Sequence, residues 1–200
     1  MNIPTLEGNL ETVIGSLVDW LNDSIKKEPW TNEEIDEKFG RRSINQILDD
    51  ESIFYMNSCL DYALVAYHAL NQNGITQTLI VEELFDQTAE INSVHIAIEF
   101  LYGSNVYSLE FSTLNKVVVS KGAYENSRED IQSLRKTWIT KKIGPDDVPS
   151  SLFDRETAKR MDSDYLRPIV ERLKHDNTPE TYQEYIEKLG EHRDLYLVVE

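Results

Sequence analysis

Residues 59–85, CLDYALVAYHALNQNGITQTLIVEELF, change their periodicity at one point, and that point decides the fold class. From Ser58 to Asn73 the pattern is helical, and NQNG stops it, with Gly74 suited to a left-handed C-cap. After Gly74 the β-branched residues of ITQTLIVEELF read as a strand. DQTAEINS is a loop, and VHIAIEFL then alternates. Val94, Ile96, Ile98 and Phe100 take one face, and His95, Ala97 and Glu99 the other. YGSN is turn chemistry and VYSLEFS resumes the strand pattern, so 94–112 is a hairpin and LNKVVVS one more strand.

Working outward, Leu10, Val13, Ile14, Leu17, Val18 and Leu21 form a helical stripe, predicting a helix over 9–29. TNEE at 31–34 is a capping signature opening a more polar helix, which Gly40 interrupts. From Glu125 the chain turns polar and reads as mostly helical. Pro145 and Pro149 bound a loop, one helix follows through residues 155–175 with Pro168 as a kink or restart, and another follows in TPETYQEYIEKLG. DLYLVVE is a candidate terminal strand. Trp20, Trp30 and Trp138 are expected where the helical segments meet the core. The expectation is one domain over 1–200: N-terminal helices in 1–50, a core in 51–122 and a mainly helical C-terminal extension in 123–200. Helices followed by neighbouring antiparallel strands make this α+β.

The chain carries 36 Asp and Glu against 20 Lys and Arg, a net charge of −16. Phosphate contacts need clustered cations, so neither nucleic acid nor an anionic membrane surface is an expected partner. A peptide or protein, of basic character if charge matters, fits better, although such acidity also serves solubility alone. One cysteine cannot form an internal disulfide, the first residues lack a signal-peptide pattern, and no apolar run approaches the roughly 20 residues of a membrane span. A cytoplasmic location is therefore expected. The scattered histidines and single cysteine show no metal-ligand spacing, and no glycine-rich phosphate loop is present, so no metal or cofactor is expected. Oligomeric state is not legible.

The chemistry turns on Cys59. Ser58-Cys59-Leu60-Asp61 matches a capping pattern that puts the thiol in a helical first turn, where unpaired N–H groups and the dipole favour negative charge. Asp61 opposes this. A lone cysteine is also a common small core residue, so its partners matter. His68 is about half a turn out of phase with it, and His175 and His192 lie in polar, charged surroundings. His95 shares its strand face with polar groups, and matching the apolar faces of the hairpin puts Glu110 opposite it or one diagonal step away. Cys59, His95 and Glu110 then have the logic of an acyl-transfer triad. The competing reading is a buried cysteine beside an ordinary cross-strand polar pair.

CLDYALVAYHALNQNGI and HIAIEFLYGSNVYSLEF together resemble the transglutaminase-like superfamily, of papain-like fold. The match rests on Cys59 followed by acidic Asp61, aromatic Tyr62 and Ala63, on the Gly74-Ile75 pair, and on His95 with Glu110 closing the next strand. The resemblance implies Cys59 as nucleophile, His95 as acid/base and Glu110 as orienting group. It implies a thiol-dependent enzyme, a cysteine peptidase, amidase or acyltransferase, acting at an amide or peptide carbonyl, with a Cys-bearing helix packed on an antiparallel sheet. The sequence departs from the family pattern at Asn57, where glycine is usual, and at Ile96 and Ala97, where an aromatic is common. It departs again at Thr76, Gln77 and Thr78, where an arginine is frequent, and in having Glu110 in place of Asp. No glutamine precedes the cysteine in DDESIFYM to serve an oxyanion, which leaves the Cys59 N–H and, as a side-chain candidate, Asn57. The alternative is therefore a catalytically inactive binding module on the same fold.

Overall fold

The computed structural model describes residues 2–55, 59–86, 91–111, 117–124, 138–148, 155–161, 172 and 197–199. Helix α1 (Leu10–Ser24) is capped by the Asn9 side chain, which accepts the Thr12 N–H, and it buries Val13, Ile14, Leu17 and Leu21. It stops earlier than the stripe suggested. Asn22, Asp23 and Ser24 are weak helix formers and Pro29 disfavours helix at the residue before it. The residues between become strand β1 (Lys26–Glu28), paired in parallel with β2 (Ser52–Phe54). Two short helices separate these strands. α2 (Asn32–Lys38) carries the Thr31–Glu34 capping box, and α3 (Ile44–Asp50) carries a second box from Ser43 and Gln46. Gly40, with φ 64°, marks the break between them.

Helix α4 (Cys59–Gln72) is the centre of the fold. Ten of its 14 residues are buried, which requires cover on more than one side. It lies between α1 and α3 on one side and the strands β3 (Gln77–Asp86), β4 (Ile91–Tyr102) and β5 (Asn105–Phe111) on the other. Gly74, at φ 71°, reverses the chain from α4 into β3. β4 and β5 form the expected hairpin. Its two-residue turn has positive φ only at Gly103, as a type II′ turn demands.

The sheet continues with β6 (Val117–Lys121), β7 (Trp138–Ile143) and β8 (Leu197–Val199), in the order β7-β3-β4-β5-β6-β8. The molecule is thus mixed helix and sheet, with two departures from expectation. β7 comes from a segment read as mostly helical and pairs antiparallel with β3. Trp138, Ile139, Thr140 and Ile143 are strand formers, but the polar stretch before them hides that signal, and pairing along the β3 edge realises it. β8, within the expected terminal strand, pairs in parallel with β6, so the sheet is antiparallel only across its other five strands.

Ile96, Ile98 and Phe100 of β4 join Leu79, Val81, Leu109, Phe111, Val117 and Val119 in one apolar cluster with α4. The other sheet face carries a smaller cluster of Ile80, Ala97 and Tyr124. There, buried Glu99 accepts the Tyr124 N–H at 2.8 Å and pairs with Lys142. Helix α5 (Arg155–Met161) docks on α2: Arg155 Nε donates to the Phe39 carbonyl and Lys159 pairs with Asp36 at 2.6 Å. Trp30 is core and Trp20 borders it. The expected Ser58 cap, Asn57, most of the remainder of the helix expected through residues 155–175 and the helix expected at TPETYQEYIEKLG lie outside the described residues, as do His175 and His192. Among the described residues no helix is long and apolar enough to cross a membrane.

Candidate functional site

Three segments meet at the start of α4. Cys59 is the first residue of that helix and is buried, yet it stands outside the apolar cluster that the following turns enter. A buried ion-pair network holds this first turn in place. One Arg42 nitrogen donates to Asp61 at 2.6 Å, and the other donates to Asp50 at 2.9 Å and to the Ser52 carbonyl at 2.8 Å. The guanidinium also lies 4.5 Å over the Trp30 ring. Burial pushes the Asp61 carboxyl above its ordinary range, and Arg42 pulls it back. Asp61 thus ties α4 to α3 and β2.

The hairpin register aligns Ala97 with Glu110, so His95, two residues earlier on the same face, is the diagonal neighbour of Glu110. His95 Nε2 lies 3.3 Å from Glu110 Oε2. That is ion-pair distance, but the N–H is not aligned well enough for a good hydrogen bond. Both groups are largely shielded, with side-chain exposures of 26% and 14%. The imidazole is also within hydrogen-bonding reach of the Cys59 side chain. Burial alone would lower the His95 pKa, but the contacts with Cys59 and Glu110, and their negative charges, outweigh it and raise the value to about 9. The Tyr124 ring stacks beneath the imidazole with centroids 6.5 Å apart. The three residues singled out from the sequence are therefore brought together, while His68 is a half-buried residue farther along α4.

Two neighbours escaped the sequence reading. Tyr124 follows β6 and reaches His95 only because the sheet folds that segment back. Lys27 of β1 lies with its Nζ 5.2 Å over the Tyr62 ring, one helical turn beyond Cys59. Tyr62 in turn stacks on Phe111, with ring centroids 5.6 Å apart. Burial lowers the Lys27 pKa to about 7, against the opposing pull of Cys59. A lysine inside a stretch read as continuous helix gave no signal of this. The proline at 29 was the one local cue that helix geometry had ended.

Chemically, the group brings together a thiol, an imidazole in contact with it, a carboxylate beside the imidazole and a nearby amine. Among the described residues no cluster of His, Cys, Asp and Glu is arranged to hold a metal ion. Comparison of the chain with protein-family models gives no match, and comparisons with curated proteins and with solved structures give none either.

Proposed function

We propose that the protein is a thiol-dependent acyl-transfer enzyme of transglutaminase-like, papain-like type, acting at an amide or peptide carbonyl of a peptide or protein. The observation that carries this reading is the convergence of Cys59, His95 and Glu110 from a helix start and two paired strands. Burial would hold an isolated imidazole neutral, whereas this one has its pKa raised by a thiol and a carboxylate together. Such an arrangement suits a thiolate–imidazolium pair.

In this mechanism the Cys59 sulfur attacks the carbonyl carbon and the carbonyl oxygen takes the negative charge. His95 donates its proton to the departing amine as the C–N bond breaks, leaving a thioester on the sulfur. Water or an amine then attacks the thioester while His95 takes its proton. The sulfur leaves as thiolate and the acid or new amide is released. Glu110 keeps the ring oriented and favours its charged form. A location in the cytoplasm and a basic substrate fit the acidic chain and its single free thiol.

The test is turnover of a panel of peptide amides, with and without added amines, by wild type, Cys59→Ala, His95→Ala and Glu110→Gln. Loss of all activity is expected in the first, a fall of about 10²–10⁴ in kcat in the second, and a smaller fall in the third. Full turnover by Cys59→Ala overturns the proposal. A reactive thiol with no turnover on any amide assigns the fold to an inactive binding module instead.

A further inference from the structure

Lys27 has no part in the triad, yet it lies beside it. The parallel pairing of β1 with β2 sets Lys27 next to Ile53, on the strand that precedes α4. From there the side chain crosses to the Tyr62 ring on the same face of α4 as Cys59. A lysine in this setting is costly, because burial disfavours its charge and a methionine would fill the same volume without that penalty. No glutamine stands in residues 49–56, just before Cys59, to meet an oxyanion.

We propose that Lys27 supplies the positive charge facing the Cys59 sulfur, holding the thiolate and, during acyl transfer, the carbonyl oxyanion that forms beside it. The oxyanion half rests on the acyl-transfer reading above, and the thiolate half does not. The geometry has three parts: a strand laid beside the segment that precedes α4, the Tyr62 ring under the ammonium, and the Cys59 sulfur one turn back along the same helix face. The tuning agrees with it. With its pKa near 7, Lys27 gains a proton readily when negative charge appears next to it. Among the described residues, the titratable groups near the pair include His95, in contact with Cys59, and Glu110 beside it, with Asp61 in the same helical turn and Lys26 and Glu28 flanking Lys27 on β1.

The experiment compares alkylation of Cys59 by iodoacetate, an anion, and by iodoacetamide, its neutral analogue, at about pH 6. Sulfur displaces iodide from the same kind of carbon in both, so their rate ratio reports local charge and cancels exposure. Lys27→Met and Lys27→Gln are used together, each checked for fold by circular dichroism, so that either folded variant decides. A fall of about tenfold in the iodoacetate-to-iodoacetamide ratio is expected, with Lys27→Arg restoring it in part. A ratio within about twofold of wild type in a folded neutral variant overturns the assignment. Alkylation needs no turnover, so the two proposals fail separately. A Lys27-dependent ratio without amide turnover leaves the thiolate role standing and removes acyl transfer. On any amide that is turned over, the neutral variants should lower kcat more than they change KM.

Discussion

Burial lowers the pKa of both cations near Cys59, yet they end on opposite sides of their ordinary values because their partners differ. His95 is pulled back up to about 9 by two acidic neighbours. A base whose folded pKa is raised adds stability that is complete below its unfolded value, about 6.5, and lost as pH rises through about 9. Denaturant melts from about pH 6 to 10 should therefore show wild type losing on the order of 1–3 kcal/mol relative to His95→Gln. A Cys59→Ser background should flatten the difference. Lys27 has the reverse sign. Its folded value near 7 lies below the ordinary 10.5, so it costs stability that is largest below about 7 and fades towards 10.5. Lys27→Met should stabilise the fold by on the order of 1–3 kcal/mol at about pH 6, and the gain should shrink as pH rises. A destabilised Lys27→Met protein would show that the ammonium is satisfied structurally and not held for its charge.

At the scale of elements, the start of α4 depends on a polar anchor within an apolar surround. Arg42 binds Asp61, Asp50 and the Ser52 carbonyl at once, so it ties α4 to α3 and β2. Asp61→Asn leaves the guanidinium buried with part of its compensation gone, and the expected cost is about 3 kcal/mol in urea unfolding. Arg42→Lys should cost nearly as much, since one ammonium cannot span the fork. The acidic residue two places after Cys59, which contributed to the family resemblance, thus has a structural explanation independent of catalysis. Local signals located several elements: the Thr31–Glu34 box opens α2, and Gly74 ends α4. They failed for β1 and β7. Lys26–Glu28 has little strand propensity, while the strand formers Trp138, Ile139, Thr140 and Ile143 follow a polar stretch that hides their signal, and each segment pairs with another strand's edge.

Across the whole molecule the excess of acidic groups is the dominant electrostatic fact. A net charge of −16 repels itself, and raising ionic strength from about 0.01 M to 0.15 M shortens the screening length from ~30 Å to ~8 Å. Thermal melts should therefore rise by a few degrees over that range. A fall would mean that attractive pairs such as Lys159–Asp36 outweigh the repulsion. The same acidity makes two cations near α4 conspicuous, half-buried Lys27 over the Tyr62 ring and buried Arg42 against Asp61 and Asp50.

The amino-acid sequence by itself determined the change from helix to strand at Gly74, the hairpin and its face parity, and hence that His95 and Glu110 share a face as opposite or diagonal neighbours; the register chose the diagonal. These follow from local rules, the 3.6 and 2.0 periodicities and the turn at Gly103, that act within some 20 residues. Only the tertiary structure decided that Cys59 meets that pair, that Tyr124 lies under the imidazole and that Lys27 reaches the helix start. Those contacts join segments far apart in the chain, and which segments meet is chosen by burial and edge pairing summed over the fold.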